Sequence, residues 1–311
     1  MPQLEFVTVD VFTKTRFIGN PLAIVIIPAA QDASTEQCLR IAREFNLSET
    51  IFLHEQRTGN DGVPEWRVRI FIAAPAEIPF AGHPTIGAAC YALGTLFQAT
   101  DKGRLICNAG PIEIEYANGV ARAAIPHNYH RHSEHEFKPE EVYGTHEVMI
   151  RACGKAKAID IVSPVKGMNF IAIELPDFEA LTLEDNALGP QPKPKLDKDW
   201  DEGFSGSLFY VITNQSSYSN DGVVKLRTRM IEGAFEDPAT GSASCGLCAL
   251  LAMNLKMSRT TRFELTQGVE MGRKSDVGVL LTLNESMDAV ERIELSGSAV
   301  KVMEGRLEYE L

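Results

Sequence analysis

Apolar and polar positions alternate from the start of the chain. Over residues 4–12, Val7, Val9 and Val11 share one face and Thr8 and Asp10 the other, the period-two pattern of a strand. Residues 22–28, 48–54 and 66–74 also read as strands. Residues 34–45 carry a helical period, with Ser34 or Thr35 as N-cap. A helix is predicted over 84–97, then strands near 104–107, 111–117 and 119–125. The second half repeats this order, with strands at 156–164, 169–176, 205–213 and 223–231 and a helix over 241–255. Strands follow near 261–267, 277–283 and 290–310.

Both predicted long helices lack charge. Pro238 to Leu255 runs 18 residues without a charged side chain, long enough to raise a membrane span. Ser242, Ser244, Gly241, Gly246 and Asn254 within it, and the Asp-Pro before it, argue instead for a helix enclosed by protein on every side. Three segments repeat at about half the chain length. "SETIFL" aligns with "SGSLFY", placing Glu49 opposite Gly206; "RIF" aligns with "RMI", placing Arg69 opposite Arg229. His83 and Asp237, 154 residues apart, each precede a Pro and stand four residues before a Gly. The expectation is an α+β chain of two pseudo-symmetric domains, each a β-barrel-like sheet wrapped around a central helix, with a small-molecule cleft between them.

Composition narrows the function. The net charge of −12, with no basic block, argues against nucleic acid and anionic membrane surfaces as partners. Six scattered cysteines do not form a disulfide framework, and the opening residues have neither the basic nor the apolar region of a secretory signal. Free thiols and a cytoplasmic location are expected. Residues 127–146 hold five of the seven histidines and read as the crossover between domains, without metal-ligand spacing. Residues 184–203, rich in Pro, Lys and Asp, read as a mobile surface insertion.

The candidate chemistry sits where the uncharged helices begin. "GHPT" and "EDPATGSA" place His83 and Asp237 beside helix N-termini, whose first N–H groups lack partners and attract anions. Asp237 also suits plain N-capping, and His83 a buried histidine with a satisfied hydrogen bond. Glu49 stands where a helix gives way to a strand. A lone carboxylate in one repeat suits one-sided proton chemistry, although a solvated strand-edge Glu has the same sequence appearance. "TGSASCG" does not fit a nucleophile elbow, no phosphate-binding glycine loop is present, and the single "CGLC" reads as core.

On these residues the chain resembles the phenazine-biosynthesis isomerase (PhzF-like) family, with its diaminopimelate epimerase-like fold. The resemblance spans "DVFTKTRFIGNPLAIV", "NLSETIFL", "RIFIAAPAEIPFAGHPTIGAA", "EDPATGSA", "TQGVEMGR" and the closing strand. It implies that the last strand returns to the first domain, giving domains 1–127 plus 297–311 and 128–296. It implies a homodimer, no cofactor and no metal. It puts the acid/base at Glu49, with His83 and Asp237 beside it and Asn20, Gly82, Gly241 and Ser242 binding substrate. The two thiols that shuttle protons in related epimerases are replaced here, in this reading, by Gly82 and Asp237. The function expected is a cofactor-independent isomerase moving a proton between carbons of a small carboxylated substrate. An amino-acid or hydroxy-acid epimerase, or a binding protein that kept the fold, are the alternatives.

Overall fold

The strands form in the order that the pattern predicts. The computed structural model describes residues 3–73, 76–183, 187–214, 222–255 and 257–309. Strands β1 (Gln3–Val11) and β2 (Asn20–Ile27) precede helix α1 (Thr35–Phe45). Ser34 caps α1 in a capping box with Gln37, and Asn46 ends it in the left-handed conformation. Next come β3 (Glu49–His54), β4 (Arg57–Thr58), β5 (Pro64–Ile72) and β6 (Ala76–Ile78). Helix α2 (Gly82–Tyr91) runs on into a π-helical turn, Ala92–Leu96. Strands β7 (Lys102–Cys107), β8 (Gly110–Ala117) and β9 (Val120–Ala124) follow.

The chain continues through β10 (His130–His132), α3 (Pro139–Tyr143), α4 (Glu147–Gly154), β11 (Ala158–Val165), β12 (Met168–Glu174) and α5 (Phe178–Leu181). Then come β13 (Phe204–Ile212), β14 (Val223–Glu232), β15 (Phe235–Asp237) and α6 (Gly241–Asn254). Strands β16 (Thr260–Gln267), β17 (Ser275–Leu283), β18 (Val290–Gly297) and β19 (Ala299–Glu308) complete it. The predicted strand over 290–310 is thus two strands, split at Ser298, whose carbonyl accepts from Phe12 N; residue 310 lies outside the described residues, as does residue 74 of the predicted strand over 66–74.

The chain divides into two compact units. One holds the residues up to Ile125 together with those from Glu294 onward; the other holds Pro126–Ile293. In the first unit the strands neighbour one another in the order β19, β1, β2, β3, β5, β7, β8, β9 and the end of β18. Helix α2 touches β1, β2, β3, β8, β9 and β19, so the sheet curls around it. Close approach requires Gly87 on this helix, because a Cβ there would meet Leu22 Cδ2 at 2.5 Å and Val11 Cγ2 at 3.0 Å. In the second unit the order is β11, β12, β13, β14, β16, β17, and α6 touches β11, β12, β16 and β17. Eleven of its residues are buried. That enclosure explains an uncharged helix without a bilayer, and among the described residues no helix is long and apolar enough to cross one.

Apart from β4, the two units repeat one another's strands. The β2–β3 and β5–β7 pairs are parallel, and so are β12–β13 and β14–β16. Phe52 faces Arg69 across β3 and β5, as Phe209 faces Arg229 across β13 and β14. Glu49 therefore corresponds to Gly206 and Arg69 to Arg229, as the sequence registers predict. The third register is different. Phe71 pairs with Glu77 as Ile231 pairs with Glu236, and the helices begin at Gly82 and Gly241. Asp237 corresponds to Ile78, and His83 to Ser242, not to each other. The two Pro motifs look alike because each needs a tight entry to a buried helix, but Pro84 lies inside α2 and Pro238 before α6.

The segment expected to be mobile is held in place along residues 187–203; residues 184–186 lie outside those described. Ala187 and Leu196 are buried in the hydrophobic cluster with Val142, Ile171 and Phe209. Gly189 N donates to Gly233 O, Lys193 N to Val142 O, and Gln191 Nε2 to Ser205 O. Its composition reads as disorder because a few spaced anchors do not shift an average over 20 residues.

Candidate functional site

Glu49 and His83 come together within the first unit. Glu49 begins β3 on the face that Ile51 shares, toward α2, and His83 is the second residue of α2. Glu49 Oε2 lies 3.4 Å from His83 Nδ1, with side-chain exposures of 19 % and 4 %. Burial pushes the Glu49 carboxyl up to about 7, and the Ser48 hydroxyl opposes this by bonding to the charged form. An acid poised there exchanges a proton near neutral pH, the condition for general acid/base work. Gly82 opens α2, and its N-cap Ala81 offers no side-chain bond, so the first amides of the helix are left to other acceptors. Asn20, the first residue of β2, is 1 % exposed and pairs with Val11.

Asp237, Gly241 and Ser242 belong to the second unit. Asp237 is not the N-cap of α6, which is Thr240. It ends β15, and its carboxylate accepts from Thr240 Oγ1 at 2.6 Å and from Ala239 N at 3.3 Å, an Asx-type turn. Gly241 and Ser242 form the first turn of α6. The registers missed Gln267, a fully buried residue of "TQG" that donates to the Asp237 carbonyl at 2.8 Å. The sequence signal is "TQG" itself, but nothing in it says which loop the amide reaches.

Each unit fastens its helix entry with the same clamp. Arg69 bonds Glu77 through Nε (2.9 Å) and Nη2 (2.7 Å), and reaches Ala33 O and Thr35 Oγ1. Arg229 bonds Glu236 through Nε and Nη2, both 2.9 Å, and reaches the carbonyls of Leu181 and Thr182. Such bidentate pairs fix direction as well as distance. Glu236 is the residue before Asp237.

The thiols are poor proton shuttles. Burial pushes both Cys90 and Cys245 up to about 12, and holds Cys248 well above the ordinary thiol range. The pseudo-symmetric partner of Gly82 is Gly241, and Asp237 stands four residues before it. Among the described residues one set of metal-type donors gathers, His130, His132 and Asp197, all within 4.8 Å. His132 Nδ1 accepts from Asp197 N, and its Nε2 meets Ser163 Oγ at 2.8 Å. With both nitrogens engaged, this set is a structural link. A surface cavity of about 520 Å³ lined by His127, Tyr129, Arg131 and Asn254 contains none of the candidate residues, so chemistry, not volume, marks the site.

The sequence matches the PhzC-PhzF family, described as phenazine biosynthesis-like protein, over residues 9–305. The chain belongs to this family. A PhzF-family relative, the trans-2,3-dihydro-3-hydroxyanthranilate isomerase of Pseudomonas chlororaphis, is 31% identical over 97% of this chain and 99% of its own. An uncharacterized isomerase of Mesorhizobium japonicum is 29% identical over 99% of each. The crystal structure of a Bacillus anthracis PhzF-family protein superposes with a TM-score of 0.75 at 20% identity, covering 99% of this chain and 100% of that one. A hydroxyproline epimerase from Agrobacterium vitis shares the fold, with a TM-score of 0.58 at 11% identity, covering 99% of this chain and 91% of that one. The PhzF-family chain is therefore an isomerase on the epimerase-like fold, acting on a small molecule.

Proposed function

We propose that the protein is a cofactor-independent isomerase that moves a proton between two carbons of a small carboxylated substrate, with Glu49 as the acid/base. The observation that carries this is Glu49 held 3.4 Å from His83 with its carboxyl raised to about 7. Glu49 takes a proton from one carbon, and its conjugate acid returns a proton to another. His83 holds the carboxylate and shares its proton. Substrate binding falls to Gly82, Gly241 and Ser242, which the family resemblance assigns to it; each stands in the first turn of its helix, where unpartnered amides suit a carboxylate or a developing negative charge. Asp237 and Asn20 orient the polar groups of the substrate. The names of the Pseudomonas relatives make trans-2,3-dihydro-3-hydroxyanthranilate the first substrate to try. Six free, buried cysteines support a cytoplasmic setting, and the family supports a homodimer, which light scattering checks.

The test is turnover of that substrate by the wild type and by Glu49→Gln. We expect the variant to lose on the order of a hundredfold or more in kcat with its fold intact. Near-normal turnover by Glu49→Gln removes Glu49 as the base. If the wild type leaves this substrate untouched but converts another carboxylated one, the mechanism stands and the substrate is reassigned.

A further inference from the structure

The Asp237 turn is tied to a buried hydrogen-bond relay that the proton-transfer scheme does not use. Gln267 Nε2 donates to the Asp237 carbonyl at 2.8 Å and to Thr240 Oγ1 at 3.2 Å. Thr240 Oγ1 in turn donates to Asp237 Oδ2 at 2.6 Å. On the other side, Gln267 Oε1 accepts from Thr228 Oγ1 at 3.3 Å and from Thr240 N at 3.4 Å. The amide is thus used on both ends, and its orientation is set by its partners. Gly268 lets the backbone come this close, since a Cβ there would stand 2.7 Å from Pro238 O, and its φ of +71° suits glycine.

The repeat separates what the fold needs from what this turn adds. In the first unit the positions corresponding to Thr228, Asp237, Thr240 and Gln267 are Val68, Ile78, Ala81 and Cys107. All four polar members are replaced, yet the same strands pair and the same kind of helix starts. By contrast, features that serve the fold recur in both units. The Arg–Glu clamp is one. Another is the hydroxyl in the first turn of each helix, where Thr85 Oγ1 bonds Ala81 O at 2.7 Å and Ser244 Oγ bonds Thr240 O at 2.9 Å. Burying a glutamine and two threonines where apolar residues suffice is justified by the carboxylate at its end.

We propose that Gln267 is a positioning residue for Asp237: through Thr240 it presents a donor to the Asp237 carboxylate, fixing its direction and holding it ionised as an acceptor for substrate. This rests on the reading of Asp237 as a substrate-facing group. Gln267 turns the Thr240 hydroxyl toward Asp237 by occupying its acceptor side, so the hydroxyl proton has one place to go.

The test follows the Asp237 carboxyl directly, by ¹³C NMR on carboxyl-labelled aspartate across pH, assigned with Asp237→Asn. Gln267→Leu and Thr240→Val are compared with wild type, and Thr240→Ser serves as the conservative variant. We expect the Leu and Val variants to bind a proton at Asp237 on the order of tenfold more tightly than wild type, and Thr240→Ser to titrate as wild type does. Where trans-2,3-dihydro-3-hydroxyanthranilate is turned over, kcat falls in the Leu and Val variants and is kept in Thr240→Ser. If Gln267→Leu does not fold, the Thr240 pair decides. Identical Asp237 titration in wild type and a folded Gln267→Leu or Thr240→Val overturns the proposal. A wild type that turns over no carboxylated substrate overturns the isomerase reading instead, and leaves the titration result to stand for the relay.

Discussion

At the scale of single residues, the proposed base opposes stability. A carboxyl at about 7 in the folded protein, against 4.5 for the free group, means that the folded state holds a proton that the unfolded chain releases between those values. Stability therefore falls as pH rises across that window and stays reduced above it, by up to about 3 kcal/mol. Glu49→Gln removes the charged form. We expect it to melt higher than wild type at pH 8, with the difference vanishing near pH 4.5, while turnover drops. Calorimetry at the two pH values checks this, and an unchanged melting difference would show that Glu49 is not desolvated. The sequence indicated Glu49, and the repeat that gave Gly206 opposite it made it visible as a one-sided feature. It could not show the 3.4 Å contact to His83, because a strand start and a helix start meet only through the β3–β5 pairing and the seating of α2. The sequence match of His83 to Asp237 fails for a related reason: shared Gly and Pro reflect tight helix entries, and a few residues of slippage are invisible without strand registers.

Elements hold the site through close packing and two clamps. Gly87 and Gly246 lie at corresponding turns of α2 and α6, but their surroundings differ. A Cβ on Gly246 would meet Pro164 at 3.3 Å and Val162 at 3.4 Å, against 2.5 Å to Leu22 for Gly87. We expect Gly87→Ala to cost about 1–3 kcal/mol and Gly246→Ala distinctly less, measured by urea unfolding. Arg69→Leu strands Glu77 beside an apolar side chain and frees the start of α1. Its expected cost is about 3–5 kcal/mol, and a double variant with Glu77→Leu recovers part of it. Most long elements were legible because period and burial agree in them. The short strands β6 and β15 were not, since three residues carry no period, yet they set the register that the clamps lock.

For the whole molecule, the repeat is the organising fact, and the differences between its copies carry the chemistry. The second unit adds a strap over residues 187–203, pinned by Asp197 between His130, His132 and the amides of Ser133 and Glu134. Burial holds His132 below its ordinary range, and His130 pushes the same way. The unfolded chain takes up that proton first, so stability from this link is present at neutral pH and lost as pH falls below about 6.5. Hydrogen exchange, corrected for its intrinsic pH dependence, should show residues 187–203 opening between pH 7 and pH 5 while β2 and β3 stay protected. Equal protection at both values would mean that the link does not hold the strap. Composition alone read this segment as mobile, because its anchors come from residues far away in the chain.

The measurement that tests Glu49 most directly is deuterium transfer from solvent. Wild type and Glu49→Gln are incubated in D₂O with trans-2,3-dihydro-3-hydroxyanthranilate, and carbon-bound deuterium in the product is followed by NMR. We expect deuterium at the newly protonated carbon with wild type and almost none with the variant over the same time. Equal incorporation by Glu49→Gln would contradict the assignment of the proton transfer to Glu49.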